Sequence, residues 1–454
     1  MAVAQDSASP GRPEVAVPSP ARVARRGPLL DRASLDGARR WSRDRLAGLG
    51  GVAGRAGRSQ PARSGAGRGA GRGRVTAVHQ LLPALLPGDA VGSHSLQLKE
   101  TMLQAGLESE IYCEAVHHEL DGQGRHFSEL PKPDPSGSTV LVYQFAIGSV
   151  LADVAHSRPE PLVVDYHNVT PASYFRPWDA QVAGALTLAR AQLDFLAARC
   201  ALGIGDSSFN RDELDERGYA PTDVVPILLD LDSLGGEPDR ATLDRLARAK
   251  GDGGADWLFV GRLAPNKAQQ DLVKALAAYR SVYDPKARLH LVGRPATPGY
   301  ADGLRRLAAG AGLVDAVELV DQGISHRSLV AYYRSADVLV SASEHEGFCV
   351  PLLEAMYHGV PVVAYGAAAV PETLGAAGLL LDDKSPVTVA AAVHRVLSDQ
   401  DLRQHLVAAG QARLGAFSLD RSRARLVAAL APLTGVSGPA GAGGAGTEPR
   451  AARP

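Results

Sequence analysis

Residues 336–365, ADVLVSASEHEGFCVPLLEAMYHGVPVVAY, hold the pattern that decides the fold. Residues 338–340 are apolar and mostly β-branched, which reads as a short buried parallel strand, and the small residues Ser341, Ala342 and Ser343 end it. A loop carrying Glu344, His345, Glu346 and Gly347 comes next. Pro351 suits the first turn of a helix, Leu352, Leu353 and Met356 keep helical spacing, and Gly359 before Val360 and Pro361 stops it ahead of a further strand. Strand, acidic loop, helix, strand is the repeating unit of an open α/β sheet, whose ligands lie at the carboxyl ends of the strands. A helix N-terminus at that edge presents unpaired N–H groups, so an anionic phosphate is expected at residues 349–352.

Two carboxylates flank that point: Glu346 before the helix and Glu354 about one turn inside it. A carboxylate beside a phosphate is repulsive unless it accepts hydrogen bonds from hydroxyls, and a nucleotide sugar supplies both a ribose diol and a hexose. Solvated glutamates on an amphipathic helix are the plain alternative. The spacing of Glu, seven residues and Glu within EGFCVPLLE resembles the signature of the family four retaining glycosyltransferases. The resemblance implies that Glu346 faces the donor sugar and Glu354 the ribose, with Gly347, Phe348, Cys349, Val350, Pro351 and Leu352 around the donor.

The chain has 454 residues, 45% of them hydrophobic, enough for two or three domains with real cores. Its three cysteines, Cys113, Cys200 and Cys349, are far apart and odd in number, so neither a disulfide framework nor a zinc site is indicated and a reducing compartment is expected. No run of about twenty apolar residues suggests a membrane span. The formal net charge of −1 conceals an asymmetry: residues 1–74 hold fifteen Arg and no Lys against five acidic residues, a net of +10 that leaves −11 for the rest. This head is rich in Gly, Ala, Pro and Ser, so it is expected to be disordered, as is the tail over 436–454. Arg25 and Arg26 precede no apolar segment, which argues against a twin-arginine export signal. The head is open to contact with acidic lipid or nucleic acid, or is simply a solvated tail.

Order is expected from Val75. VTAVHQLLP reads as a strand, PGDAVGSHSLQLKETMLQAG as a loop and a helix capped by Ser93 or Ser95, and SEIYC as the next strand. Gly88 and Gly92 permit a tight loop, and this start resembles the glycine loop that approaches the donor diphosphate in the family. Asp89 and Ala90 stand where the family more often has two glycines, so Asp89 is expected either to bind the acceptor or to order the loop. Strands over 139–143 and 161–166 follow, the second leading into His167 and Asn168. VVDYHNVTP resembles the family segment whose histidine lies near the donor sugar, which implies that His167 binds the sugar's hydroxyls or stabilises developing charge. Without the resemblance, a His at a strand end reads as structural. Tyr174, Phe175 and Trp178 are suited equally to stacking on an acceptor sugar and to packing. A helix is expected from Gln192 to Leu202.

Residues 235–254, polar and ending in GDGG, read as a linker. WLFVGRL opens a second strand series, continued by ARLHLVGRP, VELVDQGIS, ADVLVSAS and GLLLDD. Arg262 and Lys267, in GRLAPNK, lie on the turn leaving the first of these strands and resemble the family's Arg and Lys pair. Two such cations suit a diphosphate leaving group, each unit charge pair contributing on the order of 4 kcal/mol gross at about 4 Å and an effective dielectric near 20. Asp230, Leu231 and Asp232 mimic the Asp-x-Asp metal motif of a different glycosyltransferase fold, but sit in the linker region. Ser418 is a fair N-cap for a last helix that stops near Pro432.

The fold expected is α/β, two Rossmann-like domains facing a cleft, the GT-B architecture: an acceptor domain over 75–234, a linker over 235–254, a nucleotide-sugar domain over 255–415, and a helix over 416–435 that the resemblance implies crosses back to the first domain. The activity it implies is retaining transfer of a hexose from a nucleoside diphosphate sugar to a hydroxyl, with Glu346, His167, Arg262 and Lys267 as the acting residues and no metal or further cofactor. The segments around GDAVGSH and YHNVTP resemble those of bacterial polysaccharide mannosyltransferases, which points to GDP-mannose. The expected partners are the nucleotide-sugar donor and a glycan or lipid-linked acceptor, in the cytoplasm or at the inner face of a membrane, with no nucleic acid. A non-catalytic carbohydrate-binding protein would share the fold. A Rossmann oxidoreductase would need a glycine spacing that GDAVGSH lacks, and a PLP-dependent glycan phosphorylase a Schiff-base lysine that no context marks.

Overall fold

The computed structural model describes residues 74–251 and 253–436; the head and tail expected to be disordered lie outside them, apart from Arg74 and Val436. Thirteen strands among these residues fall into two sheets. The first comprises β1 (Ala77–Leu85), β2 (Ile111–Val116), β3 (Arg125–His126), β4 (Thr139–Phe145), β5 (Leu162–Tyr166), β6 (Cys200–Gly205) and β7 (Thr222–Val224), in the order β3-β2-β1-β4-β5-β6-β7. The second comprises β8 (Asp256–Val260), β9 (Arg288–Val292), β10 (Val317–Val320), β11 (Val338–Ser341), β12 (Val362–Tyr365) and β13 (Leu379–Leu381), in the order β10-β9-β8-β11-β12-β13. Pairing is parallel throughout both.

Parallel strands covered by helices on both faces read as continuous apolar runs rather than alternating ones. TVLVYQF in β4 is buried at six of its seven positions, and LVVDY in β5 at all five. The second sheet has the doubly wound order 3-2-1-4-5-6 and the first the same order with β7 added at its edge, so the strand order reverses between β1 and β4 in the first and between β8 and β11 in the second. Crevices open at such reversals, at the carboxyl ends of the strands. The loops after β8 and β11 carry Arg262, Lys267 and the EGFC segment to one crevice, and those after β1 and β4 frame the other.

Several local expectations change. The helix expected to run from Gln192 to Leu202 stops at Ala197, and β6 begins at Cys200. The linker is not a loose hinge: it contains a helix, Arg240–Lys250, whose Leu246 enters a core cluster of the second domain and whose Lys250 Nζ lies 2.6 Å from Asp337. Asp230 begins a 3₁₀ turn, its carboxylate accepting from the Asp232 N–H at 3.1 Å, a turn cap rather than half of a metal motif. The last helix, Leu419–Thr434, runs through Pro432. It crosses to the first domain, where Leu426, Val427, Ala429 and Leu430 pack with Val75, Val78, Leu98 and Met102. Full burial of a Leu or Val contributes about 1.5–3 kcal/mol, so this stripe anchors the crossing.

Candidate active site

The loop after β8 is held close to the loop after β9. The Leu263 N–H donates to the Arg294 carbonyl at 3.0 Å and the Ala296 N–H to the Leu263 carbonyl at 2.9 Å. This approach requires Gly293, where a Cβ would sit 2.0 Å from the Gly261 carbonyl oxygen. Arg262 is exposed on the loop after β8, and its side chain forms no ion pair or hydrogen bond among the described residues. Lys267 ends the 3₁₀ turn Pro265–Lys267 and pairs with the Glu346 carboxylate, both largely buried. Asn266 ties this loop to the one after β11, donating from Nδ2 to the His345 carbonyl at 3.0 Å and accepting from the Glu344 N–H at 2.8 Å.

The helix Val350–Tyr357 begins at Cys349, which has φ 75° and makes no side-chain cap. The backbone N–H groups of Gly347, Phe348, Cys349 and Val350 have no acceptor among the described residues. Unpaired N–H groups leading into a helix N-terminus make an anion-binding concavity. Glu346, Cys349, Pro351 and Leu352 line a narrow crevice with Val260 and Ser341. Burial, then the Glu346 charge, pushes the Cys349 thiol well above its usual range, so it serves as a neutral wall. Glu354 accepts from the Tyr333 hydroxyl at 2.5 Å, and burial raises its pKa.

In the first domain, Gly88 supplies a positive φ of 70° before the helix Ala90–Gln104, and Gly92 leaves room for the Leu86 carbonyl, 3.0 Å from where a Cβ would lie. Asp89 itself caps that helix, accepting from the Gly92 N–H at 3.1 Å. Ser93 and Ser95 do not: Ser95 lies inside the helix and its hydroxyl donates to the Val91 carbonyl. His167 is almost wholly buried. Its Nδ1 lies 3.0 Å from both Asp206 oxygens and its Nε2 2.5 Å from Gln144 Oε1, which leaves no ring nitrogen for a substrate hydroxyl. Burial lowers its pKa, but Asp206 and Asp165 outweigh that and raise it to about 9.

His94, Asp165 and His167 converge closely enough to suggest a metal site. The hydrogen bonds argue otherwise. His94 Nδ1 takes the Leu228 N–H at 3.0 Å, so its proton sits on Nε2, directed at Asp165 2.9 Å away, and the ring has no lone pair for a metal.

The domains meet at the EGFC loop. The Ser207 hydroxyl donates to the Gly347 carbonyl at 2.7 Å, and a Cβ on Gly347 would lie 2.7 Å from the Asn168 Cβ and 2.9 Å from Asn210 Nδ2. His345 reaches from the second domain to Phe209, with ring centroids 5.6 Å apart, and to Tyr174 at 6.4 Å. Burial lowers the His345 pKa to about 4. Phe175 packs against Ala264, and Trp178 sits edge-on to Tyr300 at 5.0 Å, so the aromatic cluster packs between the domains. Sequence reading missed Ser207, Asn210 and His345, because only folding brings them together. The positive φ of Asn168, 75°, is a local signal that Asn tolerates and that a sequence does not display.

Residues 243–413 match the family model described as glycosyl transferases, group 1. A D-inositol 3-phosphate glycosyltransferase of Geodermatophilus obscurus is 36% identical over 230 residues, 48% of this chain and 49% of that protein. A GDP-mannose-dependent alpha-(1-6)-phosphatidylinositol monomannoside mannosyltransferase of Mycobacterium tuberculosis is 34% identical over 161 residues, 34% of this chain and 40% of that protein. The chain thus spans about half the length of the first of these relatives and less of the second. Among solved structures, Anabaena HepE in complex with UDP and glucose superposes with a TM-score of 0.61 at 18% identity, covering 78% of this chain and 100% of that one. Sucrose-phosphate synthase of Thermosynechococcus elongatus does so at 0.60 and 19%, covering 80% and 100%. The likeness shows a shared two-domain fold.

Proposed function

We propose, from a GT-B chain whose residues 243–413 form a group 1 glycosyl transferase domain, that this protein moves a hexose from a nucleoside diphosphate sugar to a hydroxyl, retaining the anomeric configuration. One observation carries the reading: four consecutive N–H groups, at residues 347–350, have no acceptor among the described residues and directly follow Glu346, the partner of Lys267, while Arg262, on the same loop as Lys267, has an unpaired side chain. Such an arrangement suits a diphosphate that gains charge as it departs, and donors already aimed at developing charge need no reorganisation when it appears. Lys267 is already partly neutralised by Glu346, so Arg262 is the cation with a whole charge to offer.

In this reading Glu346 accepts from hexose hydroxyls and Glu354, released from Tyr333, from the ribose. The leaving phosphate takes the proton of the attacking hydroxyl on the same face. His167 contributes through its backbone, since its ring is committed elsewhere. The name of the Mycobacterium tuberculosis relative favours GDP-mannose as donor, and both names favour an inositol-bearing acceptor, lipid-linked in the second. No helix among the described residues is long and apolar enough to cross a membrane, so a lipid-linked acceptor would be met at a membrane surface.

The test is a panel of nucleotide sugars in thermal-shift and donor-hydrolysis assays, each with and without EDTA. One donor is expected to raise Tm and to be hydrolysed, with GDP-mannose first and EDTA without effect. Binding with no turnover of any donor and any acceptor would favour a non-catalytic carbohydrate-binding protein. Complete loss with EDTA would overturn the metal-free chemistry.

A further inference from the structure

In the first sheet, three polar side chains lie in a row among mostly apolar neighbours, beside the buried Asp165. Gln80 in β1 and Gln144 in β4 are fully buried, and His167 follows β5. Buried amides are tolerated only when their hydrogen bonds are made, and a satisfied network then has fixed directions. Here the direction can be read from one end. Gln80 Nε2 lies 2.9 Å from the Ser95 carbonyl oxygen, and a carbonyl can only accept. The Gln80 NH₂ therefore faces Ser95 and its Oε1 faces Gln144. Gln144 must in turn present its NH₂ to that oxygen, 3.0 Å away, which turns its own Oε1 toward His167. His167 Nε2 meets an acceptor at 2.5 Å and has to carry a hydrogen.

The other ring nitrogen also faces an acceptor. Nδ1 is equidistant, at 3.0 Å, from the two oxygens of Asp206, as an N–H shared by a carboxylate would be, whereas a protonated acid would favour one oxygen. We propose that Gln80 and Gln144 are positioning residues that, together with Asp206, hold His167 doubly protonated as a fixed buried cation. The charged groups around it act in the same sense. Asp206 follows β6, Asp165 lies in β5, and Asp89 caps the helix Ala90–Gln104, all three favouring the cation. His94 on that helix, 5.1 Å from His167 between ring centroids, is neutral by its own hydrogen bonds. The relay also fixes backbone, because the His167 carbonyl and the following Asn168 are what Gly347 of the other domain rests on.

This inference does not depend on the proposed reaction. The full chain labelled with ¹⁵N-histidine, with the His167 signals assigned by their loss in His167→Gln, reports the protonation of both ring nitrogens directly. Both are expected protonated at pH 7, losing a proton only near pH 9. Gln144→Leu should lower that titration by at least about one unit, a tenfold loss of proton affinity, while Gln144→Glu, which restores an acceptor, should keep it high. A bare ring nitrogen in the wild-type protein at pH 7 would overturn the proposal, and so would a Gln144→Leu titration equal to wild type. The wild-type spectrum decides even if Gln144→Leu does not fold.

Discussion

At the reversal of the first sheet, between β1 and β4, the imidazoles and amides are paired to one another: His94 with Asp165, His167 with Asp206 and Gln144, Gln144 with Gln80. At the equivalent reversal of the second sheet, between β8 and β11, the backbone N–H groups of residues 347–350 and the Arg262 side chain have no partners among the described residues. One strand order thus yields two edges with different capacities. The first has spent its imidazole and amide hydrogen bonds internally, with only an Asp165 oxygen left over, and suits presenting a surface; the second has N–H groups left to give and suits gripping an anion. Fold alone does not distinguish them, and the state of the polar groups does.

Removing the free cation tests the second edge most severely. Arg262→Ala is expected to lower donor turnover by about 10²–10³, the loss typical of one stabilising donor, with Tm nearly unchanged because the side chain is exposed and unpaired. Measuring kcat/KM beside a melting curve checks it, and a near-normal rate would erase the distinction between the edges. A smaller effect should come from acid acting on the contact between them. The His345 pKa is lowered to about 4 from an ordinary 6.5, so its contribution to stability is complete above pH 6.5 and is lost as pH falls through 4. The full loss is on the order of 3 kcal/mol. Melting curves from pH 7 to 4 should steepen in that window and flatten in His345→Asn. Gly347→Ala is expected to lower Tm modestly and to slow turnover by about tenfold to a hundredfold, because the added methyl meets Asn168 and holds the domains slightly apart. Small-angle scattering should register a larger radius for this variant.

Much of this contrast was legible in the chain. The strand-loop-helix unit at 336–365 and the position of Arg262 and Lys267 on the turn after β8 follow from apolar runs and turn residues, which are local signals. The pairing of Lys267 with Glu346 and of Glu354 with Tyr333 was not, because those partners lie 79 and 21 positions apart. His167 shows the limit most clearly. A histidine after a strand is the same letter whether its ring faces a ligand or a buried aspartate, and only the placement of Asp206 and Gln144 decides. Asp89 is the converse: it stands where the family more often has glycine, and of the two roles open to it the structure shows the local one, as cap of its own helix, which Asp fills as readily as Ser.

The route of the chain has a consequence for how the molecule is made. Val75, Val78, Leu98 and Met102 are synthesised before the second domain, but the residues that cover them, Leu426 to Leu430, only after it. The first domain therefore waits, with that side uncovered, until the whole of the second has been translated. A truncation that removes the helix Leu419–Thr434 strips the first domain of its cover, and damage of that kind would surface as aggregation of that domain.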